Sequence, residues 1–123
     1  MVGTNDLNKS EKFYNKLLDT VGLKKIYSDE SCVGYGQKTG PEIVEFYITI
    51  PANGEPATYG NGTQISFLSN TRVEVDKFHA TGIENGGVCE GLPGFRPEGA
   101  TTYYSYVRDL NGNKVCAYTD SKD

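Results

Sequence analysis

Leu7, Phe13, Tyr14, Leu17, Leu18 and Val21 recur at three- and four-residue steps near the start of the chain. That period places them on one stripe of a helix. Asp6 stands where an N-cap belongs, Glu11 adds an acidic group near the helix start, and Gly22 suits the C-terminal cap. Residues 23–28, 31–36 and 42–50 then read as strands, with a Gly/Pro turn at 36–41. Residues 51–61 hold two prolines and two glycines and read as a loop. After that loop the pattern restarts. Residues 62–69 read as a strand, Asn70 as an N-cap, and 71–84 as a second helix with Val75, Phe78 and Ile83 near its apolar side. Asn85-Gly86-Gly87 stops it, a short strand follows at Val88 and Cys89, and 91–99 is a Gly/Pro-rich loop. An aromatic strand from Thr102, a turn over Asp109 to Asn113, and a returning strand through Cys116 close the chain.

Alternation sorts these strands by face. It puts Val44, Phe46, Ile48 and Ile50 together as an apolar set for packing under helices, and Ile43, Glu45, Tyr47 and Thr49 on the other side. Ile65 and Phe67 form a core-like pair, Gln64 and Ser66 a polar one. The closing turn would set Arg108 opposite Lys114, Tyr106 opposite Cys116, and Tyr104 opposite Tyr118. A second face carrying Glu45, Tyr47, Gln64, Ser66, Tyr104, Tyr106 and Cys116 emerges, and its aromatic content favours a pocket over a flat exterior.

Length and composition narrow the possibilities. A chain of 123 residues is one domain. Its 37% hydrophobic and 23% charged content is that of an ordinary soluble domain. A net charge of −4 and scattered basic residues argue against nucleic acid as a partner. No apolar run reaches the ~20 residues of a membrane span, and the first residues have no signal-peptide pattern, so a cytoplasmic protein is expected. Three cysteines without a CxxC spacing read as reduced thiols.

Three segments, in order, carry a resemblance. Thr4-Asn5-Asp6-Leu7-Asn8-Lys9-Ser10-Glu11-Lys12-Phe13-Tyr14, Gly60-Asn61-Gly62-Thr63-Gln64-Ile65-Ser66-Phe67 and Val107-Arg108-Asp109-Leu110-Asn111-Gly112-Asn113-Lys114-Val115 resemble the vicinal oxygen chelate superfamily of glyoxalases, bleomycin-resistance proteins, fosfomycin-resistance enzymes and extradiol dioxygenases. The resemblance implies an α+β fold of two βαβββ modules, about 1–50 and 62–120. They would form a curled mixed sheet, or cup, with helices on its outer face, and a homodimer is implied as well. Enzymes of the family hold a divalent metal in the cup.

Carried over, the first ligand would stand just before Met1, outside the chain. The second falls on Gln64, the third on Cys116, and Glu45 is a candidate for an extra glutamate. An amide, a thiol and one carboxylate are a poor set for metals used with oxygen-rich substrates. A chain with one histidine in total also lacks the two that dioxygenase iron requires. The expected protein is therefore a small-molecule-binding or catalytically degenerate member without cofactor, holding its ligand through Tyr47, Gln64, Ser66, Arg96, Tyr104, Tyr106 and Cys116. The alternative is a metal-dependent glyoxalase-like lyase or isomerase. Arg96 reads as a loop residue over the cup. His79 reads as a partly exposed structural histidine on a helix outside it, and Cys116 as an inert small hydrophobe rather than a nucleophile.

Overall fold

The computed structural model describes all 123 residues. The first module runs β1 (Val2–Gly3), α1 (Leu7–Asp19), β2 (Leu23–Ser28), β3 (Cys32–Gln37) and β4 (Phe46–Thr49). The second repeats it as β5 (Ile65–Leu68), α2 (Arg72–Glu84), β6 (Val88–Phe95), β7 (Tyr103–Arg108) and β8 (Lys114–Thr119). Each module forms its own four-stranded mixed sheet, ordered β1-β4-β3-β2 and β5-β8-β7-β6. The one parallel pair in each joins its first and last strands, β1 with β4 and β5 with β8. This is the α+β architecture of two βαβββ modules that the hydrophobic pattern and the resemblance implied, and the two sheets do not close on each other.

Helix α1 starts as its sequence dictates, with Asp6 accepting the Lys9 amide at 3.0 Å. Its stripe of Phe13, Tyr14, Leu17 and Leu18 is buried, each side chain worth about 1.5–3 kcal/mol of transfer free energy. The helix ends at Asp19 with Thr20 as cap, earlier than the Gly22 expected from sequence. Gly22 serves instead in the turn that follows, at φ +82°. At α2 the cap is Thr71, which accepts the Glu74 amide, while the Asn70 amide donates to the Glu74 carboxylate. The expected Asn70 cap is thus displaced by one residue, because Thr71 lies three before an acidic side chain and completes a reciprocal cap.

One core of 17 buried residues spans both modules. Aromatic contacts thread it: Tyr14 meets Phe46 at 5.2 Å, Phe46 meets Phe67 at 5.2 Å, and Phe67 meets Phe78 at 6.1 Å between ring centroids. The helix-facing sides of the two sheets therefore share one interior, and their other faces turn outward from it.

A polar clasp joins the modules. Asp109, in the β7–β8 turn, accepts the Tyr14 hydroxyl at 2.6 Å, the Asn113 side-chain amide at 2.9 Å, and the Asn111 and Asn113 backbone amides at 2.9 Å each. Asn113 also donates to the Gly3 carbonyl oxygen at 3.0 Å, which fixes β1.

The segment before β4 departs from the sequence reading. Residues 42–45 are not in a strand, and Val44 does not join Phe46 and Ile48 under the helix. A Cβ on Gly34 would stand 2.9 Å from both Val44 Cγ1 and Tyr47 Cε1, and one on Gly36 would stand 2.2 Å from the Ile43 carbonyl oxygen. Residues 43 and 44 thus lie across the open face of β3, where two glycines make room. Ile50, also assigned to the apolar set, is 44% exposed because β4 has ended before it. Strand β6 runs on to Phe95, well past the short strand expected, accommodating its glycines through register shifts around Gly91.

Candidate functional site

The closing hairpin positions three of the candidate residues, Tyr104, Tyr106 and Cys116. Its register is the one expected from the turn: Arg108 opposite Lys114, Tyr106 opposite Cys116, and Tyr104 opposite Tyr118. Strand β5 adds Ser66 opposite Cys116 and Leu68 opposite Tyr118. The open face of the second sheet thereby gathers two clusters.

The first is polar. Cys116 Sγ and Ser66 Oγ lie 3.1 Å apart, and the Gln64 amide nitrogen donates to both, at 2.9 Å to Ser66 and 3.4 Å to Cys116. Gln64 and Ser66 are exposed, whereas Cys116 has no exposure at all. Burial pushes the Cys116 thiol up, with the Ser66 hydrogen bond and the Lys114 charge acting weakly the other way. The thiol thus keeps its proton at neutral pH.

The second is aromatic. Tyr104 stacks on Tyr106 and on Tyr118, each at 5.8 Å between centroids. Two cations stand over the Tyr106 ring, Lys114 Nζ at 5.1 Å and Arg96 Cζ at 5.4 Å, each placed to interact with its π face. Arg96 is held there by donating to the Leu92 carbonyl oxygen at 2.7 Å. Burial raises the Tyr106 hydroxyl's pKa, so it stays a neutral donor.

A cleft of about 480 Å³ opens between the modules and is walled by Leu23, Glu45, Phe46, Ser66, Leu68 and Tyr118 among others. Ser66 belongs also to the polar cluster and Tyr118 to the aromatic one. The cleft and the open face therefore share these two residues, and Glu45 lines the cleft from the first module. Tyr47 is not brought together with them. It lies on the first sheet's open face beside Gly34, with Tyr27 at 6.4 Å. Lys114, Tyr118 and Leu68 belong to the site although sequence reasoning left them out. The register that placed Tyr118 opposite Tyr104 was the available signal.

The donor set does not suit a divalent metal. The Gln64 amide turns its N–H toward Cys116, the thiol is protonated and enclosed, and no three His, Cys, Asp or Glu side chains gather closely enough to hold an ion. What the arrangement offers is hydrogen bonding from hydroxyls and an amide beside flat aromatic surface.

A family model described as the Glyoxalase/Bleomycin resistance protein/Dioxygenase superfamily matches residues 1–117. Among solved structures, a glyoxalase/bleomycin resistance protein from Albidiferax ferrireducens T118 is 45% identical at a TM-score of 0.82, with 97% of this chain and 93% of that chain covered. Lactoylglutathione lyase from Agrobacterium tumefaciens is 22% identical at a TM-score of 0.62, covering 96% of this chain and 88% of that one. Glyoxalase I from Zea mays is 20% identical at 0.69, covering 96% of this chain and 43% of that one. The last two share the fold alone. No curated protein matches the chain.

Proposed function

We propose, from the premise that the chain belongs to the glyoxalase/bleomycin resistance protein/dioxygenase superfamily, that it binds a small, partly aromatic molecule without a metal. The ligand lies in the intermodule cleft with its flat part toward the tyrosine ladder and its polar part on Gln64 and Ser66. The observation behind this reading is the cleft of about 480 Å³ whose wall residues Ser66 and Tyr118 are also members of the two clusters. That volume falls within the ~300–1,000 Å³ of ordinary small-molecule sites.

A homodimer belongs to the proposal. Leu68, Val88 and Leu92 are 66%, 62% and 68% exposed, and a second copy would cover such apolar surface and complete a tyrosine-lined cup. Size-exclusion chromatography with light scattering should return twice the mass of the 13.5 kDa chain; a monomer at micromolar concentration removes this part.

Ligand binding is tested by thermal shift with aromatic acids and small polar metabolites. A ligand at 100 times its dissociation constant stabilises the fold by about 2.7 kcal/mol. Tyr106→Ala and Gln64→Ala should each weaken that shift. Ni²⁺, Zn²⁺ and Mn²⁺ form the second arm. Stabilisation by a metal, lost in Gln64→Ala, would replace this proposal with a metal-dependent lyase or isomerase.

A further inference from the structure

A thiol and an imidazole meet away from the cleft. One stripe of α2 carries Arg72, Asp76 and His79 toward the edge of the second sheet. The Arg72 guanidinium lies 4.8 Å over the Phe95 ring, Asp76 accepts the Tyr103 hydroxyl at 2.7 Å, and His79 Nε2 lies 3.2 Å from Cys89 Sγ. Cys89 sits on β6, which has a neighbouring strand on one side only, and it is exposed. His79 is only 9% exposed. Burial lowers its pKa below the ordinary 6.5, with the Asp76 charge acting the other way. At neutral pH the ring is uncharged, and its Nδ1–H tautomer presents the Nε2 lone pair to the thiol proton.

The other two cysteines lack this combination. Cys116 is enclosed. Cys32 is half-buried, and burial first and the Asp29 charge second raise its pKa. A nucleophile within hydrogen-bond reach of a base, with solvent access, is what covalent chemistry at sulfur requires.

We propose that Cys89 is a nucleophilic thiol with His79 as its base, forming covalent adducts with α,β-unsaturated carbonyl compounds. In the addition, Cys89 Sγ bonds to the β-carbon as the carbon–carbon π bond breaks. The thiol proton passes to His79 Nε2 and from there to the α-carbon. The imidazole returns neutral, nothing leaves, and no oxidant or cofactor takes part. A soft, polarisable sulfur matches this soft carbon.

The test is limited N-ethylmaleimide labelling of the whole protein at neutral pH, read at each cysteine by peptide mass mapping. Cys89 should be modified at least about tenfold faster than Cys32, and Cys116 last. His79→Gln should slow Cys89 by about tenfold or more and leave the Cys32 rate unchanged, which also shows that the variant is folded. If the variant unfolds, exposing Cys116, the wild-type pH profile decides instead: base-assisted attack should level off above pH 7 at Cys89, while the Cys32 rate keeps rising with its thiolate. Equal wild-type rates at Cys89 and Cys32 overturn the proposal. So does a Cys89 rate that survives His79→Gln in a folded protein, or one that rises with pH in parallel with Cys32.

Discussion

Tyr14 holds its proton for two reasons, burial first and the Asp109 charge beside it second. Its hydroxyl donates 2.6 Å to a carboxylate that is itself only 6% exposed. Tyr14→Phe removes a charge-assisted donor and should destabilise the fold by about 1.5–3 kcal/mol, seen as a lower urea midpoint with unchanged slope. His79 adds a pH dependence. Because burial lowers its folded pKa below 6.5, the unfolded chain binds that proton more readily. Its contribution to stability is complete above about 6.5 and is lost as pH falls toward the folded value. The melting temperature should therefore fall on acidification from pH 7, and His79→Gln should flatten that part of the profile. From sequence this histidine reads as partly exposed, since its thiol partner lies in a Gly-rich stretch whose strand has no visible alternation.

At the level of elements, the glycines of β3 make the sharpest prediction. Gly36→Ala would drive a methyl group into the Ile43 carbonyl oxygen. Backbone cannot swing aside as a side chain does, so a loss of about 1–3 kcal/mol is expected, with faster proteolysis at residues 38–45. Legibility in the sequence follows the same physics. The β7–β8 register was readable because the Asp/Asn/Gly turn fixes which residues oppose each other. The side of Val44 was not, because alternation holds only while a strand continues, and here the chain crosses the sheet before β4 begins. The α1 start was readable from Asp6. The α2 start shifted by one because Asn70 and Thr71 are both good caps, and only the position of Glu74 decides between them.

The two modules share an interior, so the molecule should unfold as one unit. Near-ultraviolet signals, which come from tyrosine in a chain without tryptophan, should melt together with far-ultraviolet ones. Separate transitions would show that the clasp and the Phe46–Phe67 contact do not couple the modules. The candidate site was legible where it lay on one hairpin: Tyr104, Tyr106 and Cys116 stand together as alternation requires. It was not legible where it needed both sheets, since nothing local says how one sheet is set against the other, and Tyr47 stands apart for that reason. The clasp also has a temporal meaning. Tyr14 and Asp109 are 95 positions apart. While the chain leaves the ribosome, the first helix waits for its carboxylate until the β7–β8 turn has been added. A nascent chain stalled before residue 109 should be readily digested by protease, and one released after Thr119, with β8 complete between β5 and β7, should resist it.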